Sequence, residues 1–366
     1  MKVAIVHDWL VGGGAERVVY ELHKLYPDAP IYTSYCTREW RKKLDGKVVT
    51  GWLQYWPFSV LRKFLPVLRI IWFGRLKLNG YDVVISSSGN GEAKSVKVPA
   101  GTTHICYCHS PTHFYWRHYD EYLRRPGFGF FDPLARFGLR ILVGPLRRWD
   151  YRAAQRPDYF IANSTHIKND IKKFYGRDAT VIFPPVDTKR FAGLPDRDRR
   201  GFVTVGRLKP YKHVDSIVEA CTRLGLHLTV IGSGPHLPVL KRLAGSEVVF
   251  LDHADDDEVN RQLSGAEAFL FASFEDFGIT PVEALAAGTP VIAYRAGGAL
   301  DYVIPGKNGL FFDEQTAESL MDALERFSAL KFYPHDVRQS ALRFSVENFR
   351  DKMRSFVETH QKPTAD

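Results

Sequence analysis

The sequence predicts an α/β protein made of two doubly wound domains, and three observations support this fold class. Short β-branched runs alternate with longer amphipathic stretches along all 366 residues, which is typical of parallel βαβ units. The alternation restarts after residues 183–186 (FPPV) and the charged stretch 195–200 (PDRDRR), and proline- and charge-rich segments favour a linker. The length also suits two domains of roughly 100–200 residues each.

Each half of the chain contains five strand candidates, which are short apolar runs bounded by polar or turn residues. In the first half they are residues 3–7, 31–35, 83–86, 104–107 and 159–162. In the second half they are residues 202–205, 226–231, 248–251, 268–271 and 290–294. The predicted domains are therefore residues 1–183 and 184–345. A helical pattern over 337–359 predicts that residues 346–366 form a C-terminal helix crossing back to the first domain.

The net charge of +9 is concentrated in the first half of the chain. Residues 1–180 contain 28 Lys and Arg against 15 Asp and Glu, a net charge of +13, whereas the remainder carries −4. This asymmetry predicts an acidic partner for the first half, which could be nucleic acid, anionic lipid or a phosphorylated substrate. The start of the chain lacks a signal-peptide pattern and the four cysteines are scattered, so we expect a cytoplasmic protein.

Doubly wound sheets bind their ligands beyond the carboxyl ends of the strands, and two motifs follow predicted strands directly. The first is a glycine loop with Gly13 and Gly14, whose backbone N–H groups could approach a phosphate at a helix N-terminus. The second begins at Gly206 and carries Arg207 and Lys212. Two cations in this place suit a diphosphate, which arginine binds bidentately and lysine binds as a point charge.

The strongest pattern is the stretch from Glu275 to Glu283 (EDFGITPVE). Its proline is predicted to be the first residue of a helix, which would put Glu283 in the first turn. Carboxylates accept hydrogen bonds from hydroxyl groups, and the N–H groups around Phe277, Gly278 and Ile279 could receive a phosphate. A diphosphate with two polyhydroxylated rings describes a nucleotide sugar. The acidic triplet at 255–257 is predicted to cap a helix.

These motifs occur in an order that resembles the retaining glycosyltransferases of family GT4. The resemblance rests on residues 12–16 (GGGAE), 206–208 (GRL), 231–235 (IGSGP), 275–283, 288–291 (GTPV), 296–298 (AGG) and 308–309 (NG). It implies the GT-B fold, in which two Rossmann-like domains face a central cleft. Residues 104–111 (HICYCHSP) and 114–116 (FYW) are also similar to bacterial mannosyltransferases of polysaccharide assembly.

The resemblance implies a role for each matching position. The residues that it assigns to catalysis are His109, Arg207, Lys212 and Glu275. The residues that it assigns to donor binding are Gly13, Gly14, Gly206, Arg207, Lys212, Gly232, Glu275, Phe277, Gly278, Ile279 and Glu283. Within this set Arg207 and Lys212 would neutralise the diphosphate, Glu283 would bind the ribose, and Glu275 would hold the transferred sugar.

The expected reaction is retaining transfer of a hexose, mannose from GDP-mannose, to a lipid-linked or polysaccharide acceptor. No cofactor and no metal are expected, since the two cations can balance the leaving diphosphate. Front-face and covalent mechanisms both stay open at this stage. The alternatives are a UDP-sugar-dependent glucosyl- or N-acetylhexosaminyltransferase, a nucleotide-sugar 2-epimerase, and a non-catalytic binding module.

A basic and aromatic segment, residues 55–79, predicts where the first half meets its partner. On one helix Arg62, Lys63, Arg69 and Lys77 would share an arc of about 120°, although proline at position 66 would kink or split that helix. The residues assigned to the membrane or acceptor are Arg62, Lys63, Arg69, Trp72, Arg75 and Lys77. Basic residues beside aromatic ones suit an anionic membrane surface, so we expect a peripheral protein on the inner face of the cell membrane. No nucleic-acid-binding signature is present, so no nucleic acid partner is expected.

Overall fold

The structure, a computed structural model, describes residues 1–62, 65–89, 91–117, 119–124, 129, 132–191 and 198–362. The chain forms two compact units: Met1–Phe183 with Phe349–Asp366 (unit 1), and Pro184–Asn348 (unit 2). Each unit has its own parallel sheet covered by helices, which confirms the predicted doubly wound α/β class. No helix among the described residues has both the length and the apolar character needed to cross a membrane.

In the described part of unit 1, seven parallel strands form one sheet in the order β3-β2-β1-β4-β5-β6-β7. They are β1 (Val3–His7), β2 (Ile31–Thr33), β3 (Val48–Val49), β4 (Val83–Ser88), β5 (Thr103–Cys108), β6 (Tyr159–Ala162) and β7 (Thr180–Val181). Strands β1 and β6 have the predicted bounds. The two-residue strands β3 and β7 are absent from the prediction because so short a run has no periodicity.

Seven helices of unit 1 precede the linker region in the described residues. They are α1 (Gly14–Leu25), α2 (Arg38–Lys43), α3 (Phe58–Leu61), α4 (Pro66–Gly74), α5 (Tyr119–Arg124), α6 (Asp132–Ala153) and α7 (Thr165–Tyr175). Local signals set their limits. Helix α7 begins after Ser164, whose side chain accepts a hydrogen bond from the N–H of Ile167, and ends at Gly176 in the left-handed conformation, as capping rules predict.

Unit 2 repeats the pattern with six described parallel strands in the order β10-β9-β8-β11-β12-β13. They are β8 (Phe202–Val205), β9 (Leu228–Ile231), β10 (Val248–Leu251), β11 (Ala268–Phe271), β12 (Val291–Tyr294) and β13 (Gly309–Phe312). The helices of the unit are α8 (Val214–Leu224), α9 (Leu237–Leu243), α10 (Asp256–Gly265), α11 (Ile279–Ala286), α12 (Ala299–Tyr302), α13 (Ala317–Ser328) and α14 (Pro334–Ala341). Strands β8, β10 and β11 have the predicted bounds, and β13 is an addition to the prediction.

The strand order of each sheet defines where a ligand can bind. In both units the first strand of the sheet pairs with the second on one side and with the fourth on the other, β1 with β4 and β8 with β11. The chain therefore reverses its direction of winding between these two strands. Loops at the carboxyl ends of such a pair diverge to opposite faces and leave a crevice. The candidate residues of unit 2 are expected at this point.

The last helix, α15 (Val346–His360), completes the core of unit 1. Its apolar side chains Phe349, Met353, Phe356 and Val357 pack with β1, β4 and α1 residues in one buried cluster. Arg350 also forms an ion pair with Glu21 of α1. The single helix predicted over 337–359 is wrong, because a 3₁₀ turn at Leu342–Phe344 separates α14 from α15.

Candidate functional site

The candidate donor site of unit 2 lies where the loops after β8 and β11 meet. The first loop carries Gly206, Arg207 and Lys212, and the second carries Glu275. The ammonium of Lys212 forms an ion pair with Oε1 of Glu275, while Arg207 is exposed. Lys212 and Glu275 thus lie side by side at one edge of the sheet, although their motifs are far apart in the sequence. The first is a cation suited to phosphate, and the second is a hydrogen-bond acceptor suited to sugar hydroxyls.

Two glycines hold the cationic loop in place by close backbone packing. A Cβ atom at Gly232, where φ is +134°, would lie 2.0 Å from the carbonyl oxygen of Gly206. A Cβ atom at Gly234 would lie 2.2 Å from the carbonyl oxygen of Leu208, whose N–H donates to the oxygen of Ser233 at 2.9 Å. Gly232 therefore serves the predicted site by allowing two loop backbones to touch.

A second pair of glycines holds the Glu275 loop in the same way. The N–H of Gly298 donates to the carbonyl oxygen of Glu275 at 2.9 Å. A Cβ atom at Gly297 would lie 2.3 Å from that oxygen, and one at Gly298 would lie 2.3 Å from the Cα of Phe277. The AGG motif at 296–298, which supported the family resemblance, thus fixes the backbone that presents the Glu275 carboxylate.

Helix α11 begins two residues earlier than the sequence predicts. Gly278, with φ +88°, is its N-cap, and Ile279 is its first residue, so Pro281 is third rather than first. Proline is tolerated there because the first four N–H groups of a helix have no partner within it. No side chain of the described residues caps this N-terminus, which leaves its N–H groups suited to a phosphate. Phe277 is buried against the ring of Tyr302, so its backbone alone can serve the site.

Glu283 consequently lies in the second turn of α11, not in the first as predicted. Its side chain is buried, and Oε1 lies 3.2 Å from Nη1 of Arg190. Arg190 balances the charge of this buried carboxylate, whose oxygens can accept hydrogen bonds from hydroxyl groups. This pairing was not predicted, since nothing near Arg190 in the sequence marks it as a functional residue.

Arg190 also lines a pocket of about 780 Å³ in unit 2 that the sequence analysis missed. Other lining residues are His253, Asp255, Asp257 and Asn260. Asp255 is the N-cap of α10 and accepts from a backbone N–H at 2.8 Å, which confirms the predicted capping role of the acidic triplet. The side-chain oxygen of Asn260 is buried and accepts no hydrogen bond from the described residues. The pocket therefore offers hydrogen-bond acceptors beside the ion pair of Glu283.

Lys212 has an unusual acidity for a lysine. Its side chain is only 13% exposed, and desolvation together with the neighbouring Arg207 lowers the pKa of Lys212 to about 8. A diphosphate bound beside the ammonium would favour its protonated form and raise that pKa again. Donor binding should therefore be linked to proton uptake at alkaline pH.

The dissociation constant for a nucleoside diphosphate should be constant below about pH 8 and rise above it. The free protein loses the Lys212 proton as the pH rises through about 8, and each further pH unit should weaken binding by up to about tenfold. Calorimetric titration between pH 7 and 9 measures this. Lys212→Arg is the matched control, because arginine stays protonated and should flatten the profile. A flat profile for the unsubstituted protein would contradict the assignment of Lys212 to the diphosphate.

In unit 1, His109 follows β5, is partly buried, and lies beside the buried polar residues Ser87 and His7. Its Nε2 lies 2.8 Å from Oγ of Ser87, whose Oγ also lies 3.1 Å from Nδ1 of His7. Desolvation and the nearby His7 lower the pKa of His109 to about 3. The lowered pKa favours the neutral imidazole of His109, which donates one hydrogen bond and accepts another. Its contact with the transferred sugar stays a prediction.

The glycine loop of unit 1 already holds one carboxylate of its own chain. Oε1 of Glu16 accepts from the N–H of Gly12 at 2.9 Å and from that of Val11 at 3.3 Å. Gly13 is the N-cap of α1, and Gly14 is its first residue. Glu16 thus fixes the loop and binds the backbone N–H groups of Val11 and Gly12. The backbones of Gly13 and Gly14 remain the predicted phosphate contacts.

The predicted membrane face of segment 55–79 is wrong for three of its residues. Arg62 and Arg69 are each 2% exposed, and Trp72 is buried. The guanidinium of Arg69 pairs with buried Glu92 at 2.7 Å, and that of Arg62 lies over the ring of Tyr35, 4.1 Å from its centroid. These side chains cannot face a lipid surface.

The remaining residues of that face have two different outcomes. Arg75 and Lys77 are exposed, as a surface role requires, whereas Lys63 lies outside the described residues. Proline at position 66 splits the segment into α3 and α4, as predicted, and stands first in α4. The cations of the segment consequently do not share one helix face.

Two family models match the chain in succession. The model described as Glycosyltransferase Family 4 matches residues 12–190, and the model described as Glycosyl transferases group 1 matches residues 185–343. Together they account for nearly all of the chain, including both candidate motif regions of unit 2.

Similar curated proteins include several mannosyltransferases, and also a glycogen synthase of Mycobacterium tuberculosis that is 32% identical over 42% of this chain and 41% of its own length. A GDP-mannose-dependent alpha-(1-6)-phosphatidylinositol monomannoside mannosyltransferase of Mycolicibacterium smegmatis is 32% identical over 52% of this chain and 56% of its own length. Its Mycobacterium tuberculosis counterpart is 31% identical over 44% of this chain and 50% of its own length. The alpha-1,3/1,6-mannosyltransferase alg2 of Schizosaccharomyces pombe is 24% identical over 84% of this chain and 70% of its own length. The chain thus spans about half the length of the two phosphatidylinositol monomannoside mannosyltransferases.

Similar solved structures share the whole fold. The apo form of the lipopolysaccharide outer core galactosyltransferase WaaB superposes with a TM-score of 0.72 at 20% identity, covering 98% of this chain and 99% of that one. Anabaena Alr3699/HepE in complex with UDP superposes with a TM-score of 0.71 at 18% identity, covering 98% and 100%. At such identities the likeness establishes the fold alone.

Proposed function

Because this chain is a GT4-like glycosyltransferase with the GT-B fold, we propose that it transfers mannose from GDP-mannose to a lipid-linked or polysaccharide acceptor, with retention of the anomeric configuration. The observation that carries the proposal is the ion pair of Lys212 and Glu275 at the carboxyl ends of β8 and β11. Two opposite charges at this edge can serve the two ends of a sugar–diphosphate linkage.

In the proposed reaction, the bond between the anomeric carbon and the β-phosphate oxygen breaks. An acceptor hydroxyl oxygen forms the new bond to that carbon and passes its proton to an oxygen of the leaving nucleoside diphosphate, which departs with the bonding electron pair. Arg207 and Lys212 stabilise the negative charge that develops on the leaving oxygen, which lowers the barrier most directly. The carboxylate of Glu275 accepts hydrogen bonds from sugar hydroxyls. The proposal includes no cofactor and no metal, since both cations come from the chain.

The pocket beside Glu283 supports guanine as the donor base. Guanine presents two adjacent donors, N1–H and the N2 amino group, whereas uracil presents one N–H group between two carbonyls. The carboxylates of Asp255 and Asp257 and the oxygen of Asn260 line the pocket, and carboxylates accept two such donors at once. Glu283 would hold the ribose hydroxyls, with its charge balanced by Arg190, which lines this pocket.

The charge of unit 1 and the named relatives support a lipid-linked acceptor at a membrane. Residues 1–180 carry a net charge of +13, which attracts phosphate-bearing lipids. The M. smegmatis relative acts, by its name, on phosphatidylinositol monomannoside. We propose that the protein works as a peripheral protein on the inner face of the cell membrane.

Nucleotide binding tests the donor assignment. GDP and GDP-mannose at a hundredfold excess over their dissociation constants should stabilise the protein by about 2.7 kcal/mol, which raises the melting temperature by roughly 5–10 °C. UDP, ADP and their sugars at the same concentrations should raise it by much less. Thermal denaturation measures the shift.

A pocket variant sharpens the same experiment. Asp257→Ala should reduce the difference between the melting-temperature shifts caused by GDP and by UDP. The substitution leaves Asp255, the N-cap of α10, in place. A larger shift with UDP than with GDP would contradict the guanine assignment and favour a UDP-sugar donor. Product analysis by NMR then reads the anomeric configuration of the transferred sugar.

A further inference from the structure

We propose that the outward face of α6 docks unit 1 onto a membrane surface containing anionic phospholipid. This docking face consists of the apolar side chains Leu134, Phe137, Ile141 and Leu142 and the cations Arg140, Arg148 and Arg152. It replaces Arg62 and Arg69 as the lipid-facing set. The inference deepens the proposed function, from which it takes the membrane-borne acceptor, and rests on its own observations for the surface.

The apolar residues of α6 face solvent instead of the core. Leu134, Phe137, Ile141 and Leu142 are 67%, 63%, 56% and 53% exposed. At 100° per residue the first three share an arc of about 60°. The opposite side of the helix, with Val143 and Asp150, is buried. A helix of a globular protein normally turns its apolar stripe inward, so an outward stripe marks an interaction surface.

The charges of the docking face select an anionic occupant. No Asp or Glu occurs from residue 133 to residue 149, and Arg140, Arg148 and Arg152 are exposed. Arg147 has a different use, since it donates to the carbonyl oxygen of Tyr115 and lies beside aromatic rings. Apolar side chains between exposed arginines match the boundary of headgroups and acyl chains. A second copy on the same face would bring together two arginine-bearing faces that have no acidic residue between positions 133 and 149, because a twofold interface uses the same patch on both subunits.

Unit 1 also exposes apolar side chains outside α6. Trp56 is 82% exposed, and Val60, Leu65 and Val67 on and between α3 and α4 are also exposed. Helices α4 and α6 both pack against the 3₁₀ turn Ala93–Ser95. Unit 1 therefore carries exposed apolar side chains on α4 as well as on α6, and both helices contact the same buried turn.

Vesicle binding by the full chain tests the docking face. Co-sedimentation with phosphatidylcholine vesicles should increase when phosphatidylglycerol is included and decrease with added salt. Phe137→Glu with Ile141→Glu should lower binding to the anionic vesicles by at least about tenfold, because two anchors are lost and two negative charges gained. Arg140→Ala, Arg148→Ala and Arg152→Ala together should remove the preference for phosphatidylglycerol.

The matched control is Leu330→Glu with Leu342→Glu, which puts the same charges on two exposed leucines of unit 2 and should bind vesicles like the unsubstituted chain. Unchanged binding by Phe137→Glu with Ile141→Glu would overturn the proposal. Light scattering that shows a dimer, dissociated by this variant, would overturn it in favour of a second copy. Stabilisation by GDP without vesicles reports on the donor site separately, so failure of the proposed function and failure of the docking face give different results.

Discussion

Replacing Lys212 by alanine should lower kcat/KM for sugar transfer by about 10²- to 10³-fold. Lys212 supplies a charge-assisted contact to the leaving diphosphate, and loss of one such contact from a preorganised site typically costs this much. Initial rates with saturating acceptor and varied donor measure the effect. The free energy of unfolding should change little, because Glu275 is 28% exposed and its carboxylate can be hydrated once Lys212 is removed.

Lys209→Ala is the matched control for this prediction. Lys209 belongs to the same loop and contributes to the local positive potential, but its ammonium lies beside the ring of Tyr211, 6.0 Å from the centroid. We expect a less than tenfold loss. The double variant Lys212→Ala with Glu275→Ala should lose less than the product of the single effects, because paired residues couple. If Lys212→Ala transferred sugar at the rate of the unsubstituted protein, the assignment of the donor site to this edge of the sheet would be wrong.

Replacing Asp150 by alanine should destabilise unit 1 by about 3–5 kcal/mol. Asp150 is fully buried and accepts from Nζ of Lys94 at 2.5 Å, Oγ1 of Thr112 at 2.9 Å, Nε1 of Trp116 at 2.7 Å and the hydroxyl of Tyr175 at 2.7 Å. Its removal leaves a buried ammonium unpaired, which is the costly way to break a buried ion pair. The melting temperature of unit 1 should decrease by roughly 6–20 °C, as calorimetry would measure.

Removing the charges of both Asp150 and Lys94 should destabilise unit 1 much less than removing the charge of Asp150 alone. Asp150→Leu combined with Lys94→Met eliminates the unpaired ammonium, and apolar pairs often replace buried ion pairs at little cost. The double variant should therefore be more stable than Asp150→Ala, although the hydroxyl and indole donors lose their acceptor. A double variant as unstable as the single one would show that hydrogen bonds, not charge, make Asp150 important.

The sequence predicted the sheets well because strand signals are local. Strands β1, β6, β8, β10 and β11 have the predicted bounds, and each is a short run of mainly apolar residues. Errors arose where a short element has no period, as in β3 and β7, or where one glycine changes a boundary. At Gly278 a positive φ lets α11 begin early, so the proline rule placed the helix start two residues late.

Site residues could be predicted where a single local motif contains them. They could not be predicted where a residue's ion-pair partner is distant in the sequence. The pairing of Lys212 with Glu275 follows from the strand order, since each follows a strand and the two strands are neighbours. Arg69 was misjudged because its buried partner, Glu92, lies on another element. The ion pair of Arg190 with Glu283 was missed for the same reason, since the two residues lie far apart in the sequence. Nonlocal ion pairs of this kind leave no spacing pattern for a sequence to reveal.

Helix α15 has a consequence for biosynthesis. Its core side chains, beginning with Phe349, are made only after all of unit 2 has been translated. At about 5–20 residues per second, the ribosome needs roughly 10–30 s to pass from the end of β7 to this helix. During that interval the nascent first unit lacks part of its interior and exposes apolar surface. A chain stalled or cut within unit 2 would carry that open surface permanently, which makes such fragments substrates for chaperones and proteases.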